Sequence, residues 1–199
     1  SFLSSQLKYI ILWLSEGMAR KRIPNVIAIS PYVRNYLADS AKQRVWDIPN
    51  PVADEYFMVK REPVPYRIFS ASRTTSLKNI KSLIQAFAVI AARDSRAELR
   101  LAGADQDSLY GKECRAMVEA MGLQRSVKFL GLLPLHLLIQ ELSQAACFAL
   151  CSYQENAPLS VAEAMAAGVP IVASNVGALP WMIEDGRCGR LVNPRDVSS

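Results

Sequence analysis

Residues 155–163 read Glu-Asn-Ala-Pro-Leu-Ser-Val-Ala-Glu and lie between two short apolar runs, residues 147–152 and 169–174. Each run has the length and composition of a buried strand, and Gly168 ends the helix predicted between them. A strand, a short helix and a second strand form the repeating unit of a parallel sheet. Such sheets bind ligands in the crevice at the carboxyl ends of their strands. The stretch therefore predicts both the fold class and the place of a ligand site.

Two carboxylates frame this stretch, and each allows two interpretations. Glu155, in the loop after the first strand, could accept hydrogen bonds from sugar hydroxyls, or it could be a solvated loop charge. Glu163 lies more than one turn into the helix if Pro158 is its first residue, where it could bind a ribose diol. Ser160 and Glu163 also fit a capping box, in which the serine caps the helix. The free N–H groups at the helix start would suit a phosphate.

The composition indicates a folded chain of one domain, or of one domain and part of another. The chain has 199 residues, of which 51% are hydrophobic, enough to form a sizeable core. The apolar run at residues 9–14 is far shorter than the ~20 residues of a bilayer span, so we expect no transmembrane helix or signal peptide. Four cysteines show neither a Cys-x-x-Cys motif nor a zinc spacing, which predicts reduced thiols, no metal and a cytoplasmic protein.

The positive charge is concentrated in the first third of the chain. Residues 1–67 carry ten Lys or Arg against six Asp or Glu, within a net charge of +5 for the whole chain. The clusters at residues 20–22 and 60–61 could contact anionic lipid, or they could be solvated helix ends and loops. No zinc-finger or RNA-platform pattern is present, so we expect no nucleic-acid partner.

Apolar periodicity predicts alternating strands and helices along the chain. Residues 2–19 predict a helix, residues 26–29 and 44–48 two strands around a helix that Pro31 begins, and residues 51–65 a proline-containing linker. From residue 66 the alternation is regular, with strands at 66–71, 98–102, 127–130, 147–152, 169–174 and 190–192 and helices at 77–93, 109–121, 134–145 and 177–185. Strands that alternate with helices predict a Rossmann-like α/β fold, a parallel sheet with helices on both faces.

Several short motifs occur in register along residues 66–194. They are Ser72-Arg73, Lys78, Val127-Lys-Phe-Leu-Gly131, the run from Glu155 to Gly168, Val169-Pro-Ile-Val-Ala173, Val176-Gly177, Glu184-Asp-Gly186 and Gly189-Arg-Leu-Val192, preceded by Val26-Ile-Ala-Ile-Ser30 and Ile48-Pro-Asn50. With these motifs the segment resembles the donor-binding domain of the retaining glycosyltransferases of family 4, the group 1 glycosyltransferases, whose GT-B architecture has two Rossmann-like domains. So many motifs in order are more specific than any single one.

The resemblance implies a domain organisation. Residues 1–50 would be the end of the N-terminal acceptor domain, residues 51–65 the linker, and residues 66–199 a donor-binding domain truncated at its C-terminus. It also implies transfer of a hexose from a UDP-, GDP- or ADP-linked sugar, with retention of anomeric configuration and without metal or other cofactor. The acceptor, a glycan, a lipid-linked molecule or a small molecule, would bind through the missing N-terminal domain. We expect this fragment to bind donor and hardly to turn over.

The resemblance also assigns roles to particular residues. Arg73 and Lys78 would bind the donor diphosphate and offset the charge that builds on the leaving nucleotide. The N–H groups near Leu159 and Ser160 would bind the phosphates, and Glu163 would bind the ribose. Glu155 would bind the transferred sugar, and Gly131 and Leu132 would line the base pocket. Glu155 would position the sugar, with the leaving phosphate as the base. The alternative is a vestigial Rossmann-like module that serves binding or peripheral attachment to the inner face of a membrane.

The sequence departs from the family pattern at three places. The usual paired glycines are Gly177-Ala178, Trp181 replaces the acid that often follows Pro180, and the loop after residue 101 reads Ala-Gly-Ala-Asp instead of a glycine-x-glycine. These departures concern the sugar and its pocket more than the fold. The single histidine, His136, falls in a predicted helix of the second domain and is assigned no role.

Overall fold

The computed structural model describes residues 15, 18, 22–37, 43–184 and 186–197. The chain divides into two compact units, Ser1–Asn50 and Pro51–Ser199. The helix predicted over residues 2–19 lies outside the described residues, apart from positions 15 and 18.

The first unit contains a parallel strand pair joined by a helix. Strand β1 (Asn25–Ala28) pairs with β2 (Arg44–Asp47), and α1 (Pro31–Leu37) connects them. The Ser30 side chain accepts a hydrogen bond from the backbone N–H of Val33 at 3.2 Å, which confirms the predicted helix start.

The second unit is built on a six-stranded, all-parallel sheet. Its strands are β3 (Arg67–Ala71), β4 (Glu98–Ala102), β5 (Val127–Gly131), β6 (Cys147–Leu150), β7 (Ile171–Ser174) and β8 (Gly189–Val192). Its helices are α2 (Asp54–Phe57), α3 (Ile80–Arg93), α4 (Leu109–Ala120), α5 (Leu135–Gln144), α6 (Leu159–Ala166) and α7 (Leu179–Met182). The order β5-β4-β3-β6-β7-β8 confirms the predicted Rossmann-like fold, with β3 and β6 as the central neighbours.

Apolar side chains cover both faces of this sheet, as the continuous apolar runs predict. On one face Phe69 of β3 and Phe148 of β6 make an edge-to-face contact, with ring centroids 5.9 Å apart. On the other face Ile84 and Phe87 of α3 pack in a cluster that includes Leu99 of β4. All five side chains are at most 1% exposed, so each contributes about 2 kcal/mol of apolar burial.

Residues 51–65, which the sequence predicts to be a linker, belong to the second unit and pack against the rest of it. This segment forms α2, in which Tyr56 is only 5% exposed. The Arg61 guanidinium donates to the backbone carbonyls of Leu142 and Ala145 at 2.6 and 2.7 Å, where α5 ends. Carbonyls at a helix end have no partner within the helix, and an arginine there stabilises them. These contacts hold the segment against the end of α5.

Two predicted helix boundaries are wrong. Pro158 precedes α6 as its N-cap residue and is not its first residue. The helix predicted over residues 177–185 is reduced to the four residues of α7. The reduction follows from the backbone at its two ends, because Gly177 has a φ of +56° and Ile183 is extended.

A partly buried ion network joins the sheet to α5. Arg100 of β4 donates two hydrogen bonds of 2.5 Å to the carboxylate of Glu141 in α5, which is 8% exposed. Arg100 also lies 3.0 Å from Glu98, which in turn contacts Arg67 at 2.7 Å. Removing one partner of such a pair leaves a buried charge uncompensated.

We therefore expect Arg100→Met to lower the free energy of unfolding by about 3 kcal/mol, the lower end for buried pairs, because Arg100 keeps some contact with water. Urea denaturation measures the change. Arg96→Met is the control, since Arg96 pairs with Asp94 while 70% exposed, and it should change stability little. Equal midpoints for the two variants would contradict the assignment. The double variant Arg100→Met, Glu141→Leu should recover most of the loss.

Candidate functional site

The loops that follow the two central strands meet at the carboxyl edge of the sheet. Lys78, at the end of the 3₁₀ turn Ser76–Lys78 after β3, places its Nζ atom 2.6 Å from Oε1 of Glu155, in the loop after β6. The Glu155 side chain is 7% exposed and that of Lys78 is 22% exposed. A hydrogen bond of 2.9 Å from the Tyr153 N–H to the Leu77 carbonyl joins the same loops. The structure thus brings together two residues that lie far apart in sequence, at the switch point of the sheet.

A close backbone approach at Gly177 holds the Glu155 loop. The carbonyl oxygen of Glu155 accepts a hydrogen bond of 3.1 Å from the N–H of Ala178. A Cβ atom on Gly177 would lie 1.7 Å from that oxygen, and its φ of +56° is in the left-handed region. The first glycine of the usual pair is therefore required here, whereas Ala178, which is fully buried, fits at the second position.

Arg73 lies in the first part of the loop after β3, beside the loop after β4. Its guanidinium is 72% exposed, and Nε contacts Oδ2 of Asp105 at 2.7 Å. Backbone hydrogen bonds from Ser72 to Ala102, at 3.0 Å, and from Thr74 to Ala104, at 2.9 Å, hold the two loops side by side. Arg73 and Lys78 therefore leave the same central strand, each with a carboxylate partner.

The start of α6 presents backbone N–H groups that have no partner within the helix. The helix begins at Leu159, and Pro158 in the N-cap position provides no side-chain cap. The first N–H groups of a helix, here those of Leu159 and Ser160, have no partner within the helix. Ser160 lies inside the helix, so the capping-box interpretation of Ser160 and Glu163 is wrong. The helix start suits an anion instead.

Glu163 lies on the second turn of α6 and accepts a hydrogen bond from the hydroxyl of Tyr56. Burial raises the pKa of the Glu163 carboxyl, and the Tyr56 hydroxyl opposes that rise. Burial, together with the nearby carboxylate, raises the pKa of Tyr56 to about 12. Tyr56 was missed from the sequence because nothing marks one aromatic side chain of a supposed linker as a partner of a residue far along the chain.

The predicted base-pocket residues lie at the end of β5 and at the start of the loop that follows it. Gly131 has a φ of +68°, and the Leu132 side chain is 78% exposed. The Gly131 N–H donates to Oε1 of Gln106 at 2.9 Å, and Nε2 of Gln106 donates to the Leu101 carbonyl at 2.9 Å. Gln106 is 6% exposed and was missed from the sequence, where it carries no motif. It fixes the loop after β5 to the end of β4.

Among the described residues, no three His, Cys, Asp or Glu side chains come together as metal ligands. Within the same residues, no helix combines the length and apolar character needed to cross a bilayer. His136 lies exposed on α5, and the four cysteines are free thiols.

The sheet order, its switch point and the charged residues of the two central loops define the class of protein as a Rossmann-like α/β domain with a polar crevice. The sequence model of the family described as Glycosyl transferases group 1 matches residues 55–199. The chain belongs to this family. The resemblance that the motifs indicated is thus confirmed at the level of the group 1 family.

Curated relatives support the same conclusion. A D-inositol 3-phosphate glycosyltransferase of Corynebacterium jeikeium is 31% identical over 144 residues, which cover 68% of this chain and 34% of the relative. An MMP alpha-(1->4)-mannosyltransferase of Mycolicibacterium hassiacum is 30% identical over 182 residues, covering 89% and 43%. The chain therefore spans less than half the length of these relatives.

Solved structures show the same fold. HepE of Anabaena, in complex with UDP and glucose, has a TM-score of 0.77 at 23% identity, over 94% of this chain and 54% of that one. A sucrose-phosphate synthase of Thermosynechococcus elongatus has a TM-score of 0.77 at 27% identity, over 92% and 49%. Both confirm the Rossmann-like α/β architecture.

The contact at Gly177 allows a prediction with a matched control. We expect Gly177→Ala to lower the free energy of unfolding by about 3 kcal/mol, because the added Cβ meets the Glu155 backbone and the residue keeps a left-handed φ. Gly168→Ala should cost about 1 kcal/mol, since Gly168 has a φ of +69° but no atom within 4 Å of an added Cβ. Urea denaturation compares the two, and equal losses would contradict the steric constraint.

Proposed function

We propose that this chain binds the nucleotide-sugar donor of a hexosyltransferase that retains the anomeric configuration. The observation that carries the proposal is the Lys78–Glu155 pair, which lies at the switch point of the sheet. A cation and a carboxylate side by side suit a ligand with a phosphate next to a hydroxyl-bearing ring. A nucleoside diphosphate sugar has this chemistry at its reacting bond.

In this proposal the cations and the helix start bind the diphosphate. Arg73 and Lys78 reach it from the loop after β3, and the N–H groups of Leu159 and Ser160 reach it from the start of α6. Cations at this position offset the charge that develops on the leaving nucleotide. These groups supply that charge from the protein, so the proposed transfer is independent of a metal.

The remaining assignments concern the two ends of the donor. Glu163 accepts hydrogen bonds from the ribose hydroxyls, with Tyr56 as its neighbour. Gly131 and Leu132 line the base pocket, in the loop that Gln106 anchors. UDP is the first ligand to test because Anabaena HepE was solved with UDP and with UDP-glucose, and GDP and ADP are the alternatives.

The position of Glu155 suggests how configuration is retained. Its carboxylate is engaged with Lys78 and its loop is held by Gly177, so it can hold the sugar hydroxyls but is not free to attack the anomeric carbon. We propose that the acceptor attacks from the face that the leaving diphosphate vacates, and that the diphosphate takes the acceptor proton. Glu155 then positions the sugar.

The acceptor and the location of the protein are proposed from the relatives and from the free thiols. We propose an acceptor with a sugar or polyol hydroxyl, either a glycan, a lipid-linked molecule or a small molecule, since the relatives include mannosyl- and inositol phosphate glycosyltransferases. We also propose a cytoplasmic location, which the free thiols support. No specific observation favours the alternative of a module without catalysis.

We expect Glu163→Gln to weaken UDP binding about 10-fold to 100-fold, because the ribose diol loses a charged acceptor. Because burial raises the carboxyl's pKa, its charge lowers the free energy of unfolding as pH rises above the ordinary pKa. The ligand-free Glu163→Gln variant should therefore melt at a higher temperature than the original chain at pH ~7. Calorimetric titration and thermal melting measure the two effects.

Two controls sharpen this test. The substitution Glu119→Gln removes a similar charge from the exposed surface of α4 and should leave UDP affinity unchanged. With 2′-deoxy-UDP, Glu163→Gln should lose less affinity than with UDP, since part of the diol is already absent. Equal losses with the two ligands would contradict the assignment of Glu163 to the ribose, and an absence of binding to UDP, GDP and ADP would contradict the donor site itself.

A further inference from the structure

The loop after β4 departs from the glycine-x-glycine pattern, and the structure shows what the departure adds. Asp105 has a φ of +67°, a left-handed conformation that glycine adopts with the least strain. Among the described residues other than glycine, only Tyr66 and Asn79 share a positive φ. Aspartate tolerates this region because its short side chain can make local polar contacts. Asp105 therefore places a carboxylate at a position where glycine, which has no side chain, would fit the backbone with the least strain.

That carboxylate is held against Arg73. The distance from Nε of Arg73 to Oδ2 of Asp105 is 2.7 Å. The two loops are in register through the hydrogen bond of 2.9 Å from Thr74 to Ala104, and an added Cβ on Gly103 would meet the Ser72 carbonyl at 1.8 Å. Because the backbones of the two loops approach so closely, they hold Asp105 and Arg73 next to each other.

A diphosphate bound to Arg73 would use the guanidinium that Asp105 contacts through Nε. Phosphate and carboxylate oxygens both accept hydrogen bonds from the guanidinium N–H groups, so they compete for them. The second cation, Lys78, is engaged with Glu155 in the same way. Each of the two cations thus contacts a carboxylate, and a bound diphosphate would compete with both carboxylates.

We propose that Asp105 competes with the diphosphate for Arg73 and so favours release of the nucleoside diphosphate product over release of the donor. The proposal rests on the function proposed above, in which Arg73 binds the diphosphate. The donor diphosphate is esterified at both ends, whereas the product has a free terminal phosphate that is more negative near neutral pH. A carboxylate beside the phosphates therefore repels the product more than the donor.

Calorimetric titration of Asp105→Asn with UDP and with UDP-glucose tests this. Asparagine keeps the shape and tolerates the left-handed backbone, and it removes the charge. We expect UDP to bind about 3-fold to 5-fold more tightly, the range of an exposed ion pair, and UDP-glucose less than about 2-fold more tightly. Both gains should shrink in about 0.5 M salt, which screens exposed charges. Asp105→Gly should behave in the same way.

Asp107→Asn is the matched control. Asp107 is 99% exposed, lies two residues further along the same loop and contacts Arg115 only at 3.9 Å, so its loss should leave both affinities unchanged. An unchanged or weaker UDP affinity in Asp105→Asn would overturn the inference, as would an equal gain in Asp107→Asn. If UDP binds and Arg73→Met does not weaken it, the inference fails while the donor site stands. If neither UDP, UDP-glucose nor pyrophosphate binds the original chain, the proposed function fails first.

Discussion

The ion pair between Lys78 and Glu155 is the interaction on which the site depends. It forms because β3 and β6 lie side by side, with the chain leading away from them in opposite directions across the sheet. A carboxylate with 7% exposure would be costly without a cation in contact. The turn at Gly177 packs closely against the backbone of Glu155. The sheet order thus places the pair, and the pair allows the Glu155 carboxylate to remain almost fully buried.

Most strands and helices could be predicted because they depend on local chemistry. Strand β4 begins and ends at the predicted residues, since an alternating apolar run between polar loops defines a strand. Arg73, Lys78, Glu155 and Glu163 were proposed as site residues from short motifs and a family resemblance, and the structure places Lys78 and Glu155 in contact. The sheet order was not readable from periodicity, and only the resemblance to a family indicated which loops would meet.

The missed residues depend on contacts between distant segments. Tyr56 and Gln106 each bond a partner in another element, Glu163 in α6 and Gly131 at the end of β5. Neither contact leaves a pattern in the sequence, because it arises from the register of packed loops. The left-handed backbone at Asp105 was equally hidden. A glycine would have indicated that conformation, whereas an aspartate indicates only a polar loop.

The paired charges also bear on how tightly such a site can bind. Arg73 contacts Asp105 and Lys78 contacts Glu155, so each cation of the site has a carboxylate partner. In the proposed function the incoming diphosphate gains two cations only as two carboxylates lose them, and the binding free energy is the difference between these contacts. Glu155 regains partners from the sugar hydroxyls, whereas Asp105 regains none from the diphosphate. In this proposal the sugar therefore adds to the free energy of donor binding. Transfer of the sugar to the acceptor removes that contribution, which favours release of the nucleoside diphosphate.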